Sequence, residues 1–106
     1  MKFLIINRMK DMFLMLPSDR QAQIMDGVAA FIEKYRKAGI CKEIYNISSI
    51  KGSVSIWEVD SAEKGAGLFL ENPVTPFEDF EMYVLSDFDA QMKSQKEMYQ
   101  KLLAKK

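Results

Sequence analysis

Histidine is missing from this sequence, and cysteine occurs once, as Cys41. Those two gaps remove Cys/His zinc sites, His-ligated haem, Ser-His-Asp and Cys-His nucleophilic machinery, and any internal disulfide. Net charge is missing too, because 15 Lys and Arg balance 15 Asp and Glu. Without an excess of positive charge there is no general attraction for a phosphate backbone, so nucleic acid is not an expected partner. Long apolar runs are lacking. Phe3-Leu4-Ile5-Ile6 stops at Asn7-Arg8, too short for a signal h-region or a transmembrane helix, so no membrane partner is expected. No cofactor and no metal is expected either, and any chemistry must use carboxylates, amides, hydroxyls, lysines and arginines.

What is present suits one soluble globular domain. The chain has 106 residues, 48% apolar and 28% charged, enough for a modest core and too apolar for disorder. A lone thiol suits a reducing cytoplasm, and Cys41, set among strand-like residues with no histidine to ionise it, reads as an inert packed group.

Residues 2–10 predict a strand. An unusually apolar connection follows, with Met12, Phe13, Leu14, Met15 and Leu16; an interface between subunits suits it better than a lid. Ser18-Asp19-Arg20-Gln21 predicts a capped helix start, and Ile24, Val28, Phe31, Ile32 and Tyr35 repeat at helical spacing until Gly39. Strands over about 40–47 and 53–59 form a hairpin. Asp60-Ser61-Ala62-Glu63 caps a second helix, which Gly65 and Gly67 weaken and Asn72-Pro73 ends. A fourth strand covers 77–85. Asp87 or Asp89 opens a final amphipathic helix, which Lys105 and Lys106 close as a solvated end. The order β-α-β-β-α-β plus a helix is an α+β, ferredoxin-like arrangement, with a domain at 1–86 and an extension at 87–106. Both main helices cover one sheet face, so the other calls for a second copy, as a homodimer or higher homo-oligomer.

Strand parity divides the side chains between the two faces. Leu4 and Ile6, Val54 and Ile56, and Phe80, Met82 and Val84 suit the helix-covered side. The opposite rows hold Phe3, Ile5 and Asn7; Glu43 and Tyr45; Ser53, Ser55 and Trp57; and Asp79, Glu81 and Tyr83. That mixture suits an enclosed, partly polar cavity or a subunit interface.

Residues 73–82, Pro-Val-Thr-Pro-Phe-Glu-Asp-Phe-Glu-Met, resemble the Pro-x-x-Pro-aromatic-x-Asp-apolar-Glu-apolar approach to the last strand in the muconolactone isomerase family, within the dimeric α+β-barrel group. Ser55-Ile56-Trp57-Glu58-Val59 with Asp60-Ser61 is similar to that family's Ser-Val-Phe-Asp-Val-x-Ser, and Gly39 with its following strand is in register. The resemblance covers residues 1–86. It implies a cofactor-free enzyme that shifts a double bond in a small lactone by carboxylate-mediated proton transfer and assembles from dimers. The matching carboxylates are Asp79 and Glu81. The chain departs from the family in its second strand, Lys42-Glu43-Ile44-Tyr45-Asn46, and in its longer first connection. Only Arg8, Lys10 and Lys42 lie on nearby strands to meet an anionic substrate.

Glu81 is the residue best suited to proton abstraction, since burial beside aromatics raises a carboxyl pKa toward a useful range. Asp79 fits a catalytic place or a structural one, tying down the turn after Pro76. Tyr45, Trp57 and Tyr83 are candidates to bind a small-molecule substrate, or to pack in a dimer interface. Asn7 is placed to stabilise an enolate-like oxygen or to satisfy a neighbouring backbone group. Two other functions stay open: a cofactor-independent monooxygenase of the same barrel group, and a non-catalytic ligand-binding or assembly module, the latter favoured if Glu81 is exposed and the cavity is filled. Haem breakdown is disfavoured by the missing histidine.

Overall fold

The computed structural model describes residues 1–105, so Lys106 lies outside the described residues. Four strands, β1 (Lys2–Met9), β2 (Cys41–Ile47), β3 (Gly52–Glu58) and β4 (Glu78–Leu85), form one antiparallel sheet in the order β2-β3-β1-β4. Helices α1 (Asp11–Leu14), α2 (Ser18–Lys37), α3 (Ala62–Glu71) and α4 (Phe88–Ala104) complete the chain with a 3-10 turn at Thr75–Phe77. This is the ferredoxin-like α+β arrangement that the element order predicts.

Local chemistry fixes most of these elements. The apolar stripe of α2 buries Ile24, Phe31 and Tyr35, and the helix ends where Gly39 takes a left-handed φ of 73°. Its start differs from expectation. Pro17 holds the N-cap position and Ser18 makes no capping bond; instead the Gln21 Nε2 donates to the Leu14 and Leu16 carbonyls at 3.2 and 2.8 Å, tying the α1 connection down. Proline's fixed φ already sets the chain for a helix. For α3, Ser61 is the cap, its Oγ accepting from the Lys64 backbone at 3.2 Å, while Asp60 pairs with the Lys64 ammonium. Gly65 lets this helix approach the sheet: a Cβ there would stand 3.3 Å from the Phe3 ring. Asp87 caps α4 through the Ala90 N–H.

Two apolar clusters form between helices and sheet. The larger joins Phe3 and Ile5 of β1 to Trp57, Phe31 and Tyr35, with Cys41 buried as a free thiol. The smaller gathers Phe13, Ile24 and Val74. The α1 connection is therefore split: Phe13 is core, edge-on to Phe77, whereas Met12, Leu14 and Met15 are exposed. No residue of α4 is buried.

The ladders correct the predicted faces of β1 and β3. Phe3 pairs with Trp57 and Val84, Ile5 with Ser55 and Met82, and Asn7 with Ser53 and Phe80, and this set lies under the helices. Leu4, Ile6, Val54 and Ile56 therefore lie on the open face, with Tyr45, Glu81 and Tyr83. The helix-side positions of Phe80, Met82 and Val84 are as expected. Parity misleads on β1 because this central strand is apolar on both faces, so alternation carries no direction.

Candidate active site

Between sheet and helices lies a cavity of about 60 Å³. Its floor is Ile5 and Asn7 of β1 with Ser53, Ser55 and Trp57 of β3; Phe31 and Ile32 of α2 and Phe69 of α3 roof it. Apolar walls thus surround a few polar groups, the usual composition of a small-molecule site. At one side the cavity shares Val28, Ile44, Ser53 and Glu78 with a wider depression of about 520 Å³, so these residues form a neck. Lys51 and Asn46 belong to that outer depression.

Glu78 is the one carboxylate at the neck. It begins β4 opposite Met9, on the helix side of the sheet, and the Asn7 Nδ2 donates to its Oε2 at 2.6 Å. Burial raises the Glu78 pKa above the ordinary carboxylate value, and the hydrogen bond from Asn7 only partly offsets that. A carboxyl held by one oxygen has the other free to exchange a proton with a molecule in the neck. Such a group has both the geometry and the shifted titration of a general base. The second N–H of the Asn7 amide is a further donor beside it.

The other polar wall is Ser55, which is 3% exposed and accepts from the Trp57 indole N–H at 2.7 Å. Trp57 also packs on Phe31 and Tyr35, with ring centroids 5.8 and 5.9 Å away. At the far end of α2, the Tyr35 hydroxyl donates to Glu71 at 2.5 Å, joining α2 to α3 behind the aromatic wall.

The sheet separates the residues that sequence brought together. Asn7 and Trp57 line the cavity. Asp79, Glu81, Tyr45 and Tyr83 are exposed, with Glu81 and Tyr83 on the open face: the Tyr83 hydroxyl donates to Glu81 at 2.5 Å, and Asp79 lies 3.7 Å from the Lys10 ammonium. The burial expected around Glu81 is not there. Glu78 was missed, although its signal was legible: it shares the parity of Phe80 and Met82, so a carboxylate sits in an apolar row.

Solved structures with this architecture give the comparison. A muconolactone isomerase matches with a TM-score of 0.70 and 20% identity, over 82% of this chain and 90% of that one. The fold is that of muconolactone isomerase. A 5-chloro-2-hydroxyhydroquinone dehydrochlorinase from Burkholderia phenoliruptrix, in complex with 2,5-dihydroxybenzoquinone, shares the muconolactone isomerase fold at a TM-score of 0.66 and 13% identity, over 85% of this chain and 98% of that one. No protein-family model and no curated protein sequence matches the chain. Among the described residues no helix is long and apolar enough to cross a membrane, and no group of three or more potential ligands is placed to hold a metal ion.

Proposed function

We propose that the protein is a cofactor-free enzyme that moves a proton on a small lactone or unsaturated cyclic acid, as an isomerase of the muconolactone type. The observation that carries this is Glu78: a half-buried carboxylate with a raised pKa, oriented by Asn7 at the neck of an apolar cavity. Glu78 abstracts a proton from carbon, Asn7 donates to the enolate-like oxygen that forms, and Glu78 returns the proton at the neighbouring position. Lys51, in the outer depression, meets a carboxylate carried by the substrate. The two solved enzymes of this fold, an isomerase and a dehydrochlorinase acting on a hydroxyhydroquinone, both handle small cyclic substrates, which supports the reading.

A non-catalytic module would suit an exposed Glu81 with a filled cavity. Glu81 is exposed, yet the cavity is open and holds its own carboxylate. The open sheet face, with Leu4, Ile6, Val54 and Ile56 ringed by Tyr45 and Tyr83, is the surface through which we place a homodimer.

The test follows muconolactone by NMR in heavy water with the native protein, Glu78→Gln and Glu81→Gln. Deuterium incorporation at the ring carbon, abolished by Glu78→Gln and kept by Glu81→Gln, is expected. The opposite pattern would transfer the base to Glu81. Absence of exchange, combined with oxygen uptake on a quinol, would replace the isomerase by a monooxygenase.

A further inference from the structure

Ser55 is the one polar side chain that the described core fully buries, at 3% exposure. Its oxygen is taken as an acceptor by the Trp57 indole N–H at 2.7 Å. An indole can only donate, so this bond sets the direction of the hydroxyl: its proton must point away from Trp57. Among the described residues no protein acceptor receives that proton, and Ser55 lines the cavity. A buried donor without a partner is costly, whereas a valine-like side chain would remove that donor but leave the Trp57 indole N–H unpaired. Satisfying the indole alone needs an acceptor, not a donor aimed at the cavity.

From this we infer that the Ser55 hydroxyl, oriented by Trp57, is a ligand-binding donor that receives the carbonyl oxygen of a small ketone, lactone or quinone at the closed end of the cavity. The inference deepens the proposed function and rests on the same cavity. Size supports the arrangement. Since one water needs roughly 10–15 Å³ and a closed cavity that takes benzene whole is about 150 Å³, the 60 Å³ here admits the carbonyl head of a molecule and leaves the rest at the neck. Ser55 pairs with Ile5 and Glu78 with Met9, four residues apart along β1, or about 13 Å along the strand. The donor and the carboxylate therefore mark opposite ends of one site, with Asn7 between them. That order requires a substrate whose carbonyl enters first and whose polar remainder stays in the outer depression.

The test is an isosteric ligand pair. Cyclopentanone and methylenecyclopentane share a shape and differ in the atom that Ser55 would bind. Their affinities are measured by shifts of backbone amide resonances in the native protein, Ser55→Ala, Trp57→Phe and the double variant. The ratio of the two affinities is expected to fall about 5- to 10-fold on Ser55→Ala, as for one hydrogen bond of about 1–1.4 kcal/mol. The same fall is expected between Trp57→Phe and the double variant, where no indole is left unpaired to disturb the fold. A purely structural Ser55 would change both affinities together and leave the ratio where it was; that result overturns the inference, as does undetectable binding of cyclopentanone. The proton-transfer reading fails separately, through absent deuterium exchange with the ligand ratio still dependent on Ser55.

Discussion

Replacing Gly52 by alanine separates the two reasons a glycine can matter. Gly52 opens β3 beside the last residues of β1, and its φ is not positive, so backbone freedom is not its purpose. Space is. A Cβ at this position would lie far inside van der Waals contact with the Asn7 carbonyl oxygen, 3.1 Å from the carbonyl carbon and 3.3 Å from the Arg8 Cα. All three are backbone atoms of a central strand held on both sides, so β3 must retreat. The retreat strains the Gly52 pairing with Arg8 and the bond from the Met9 N–H to the Lys51 carbonyl, now 2.8 Å. Two ladder bonds at about 1 kcal/mol each, plus overpacking of about 1–2 kcal/mol, give a destabilisation of roughly 3–4 kcal/mol. For a domain of this size that is a fall in Tm of roughly 10–30 °C. Urea unfolding followed by Trp57 fluorescence measures it, and deuterium exchange should fall in parallel because Asn7 moves relative to Glu78. The control is Gly67→Ala in α3, where nothing lies within 4 Å of the new methyl. There alanine should stabilise by about 0.5–1 kcal/mol through helix propensity. Equal effects at both positions, or a Gly52→Ala change below about 0.5 kcal/mol, would refute the steric account.

Three other substitutions carry definite expectations. Because burial raises the Glu78 pKa, the folded state holds that proton more tightly than the unfolded chain, and stability declines as pH rises through and above the ordinary carboxylate range. Glu78→Gln should therefore melt higher than the native protein at pH 7, with the gap closing toward pH 4 in thermal scans, while exchange drops about 10²- to 10⁴-fold. Glu71 behaves oppositely: the Tyr35 hydroxyl bond holds its pKa down, so its contribution is present at neutral pH and is lost as pH falls through the lowered value. Tyr35→Phe should thus destabilise at pH 7 and converge on the native protein in acid, by the same scans. Phe3→Ala, at a side chain 1% exposed beneath Gly65, should cost about 3–5 kcal/mol in urea unfolding.

Much of the fold was legible because local and global signals agree. The α2 stripe, the Gly39 end and the hairpin all act within a few residues, and each appears where its chemistry predicts, while the Asp60-Ser61-Ala62-Glu63 box and the choice of Asp87 or Asp89 resolve to caps at Ser61 and Asp87. The site was less legible for two physical reasons. On β1, Phe3-Leu4-Ile5-Ile6 satisfies either face, so only the partners decide, and those lie 48 to 81 residues away along the chain. On β3, Ser53 and Ser55 read as the polar part of the face away from the helices, since a hydroxyl beneath the helices is unusual until its indole partner is seen. With β1 and β3 inverted relative to β4, Glu81 falls on the open face, and the carboxylate at the cavity neck is Glu78, three residues earlier and on the other face.

That same acidic run has a mechanical consequence. β4 is an outer strand, and its far edge carries unpaired backbone groups that could extend the sheet into another molecule. Asp79 and Glu81 stand exposed along it, on either side of Phe80. Two such edges meeting antiparallel would bring like charges into opposition, which disfavours growth of a continuous ribbon. In four residues the chain thus holds one carboxylate inward at the neck of the cavity and two outward as fenders.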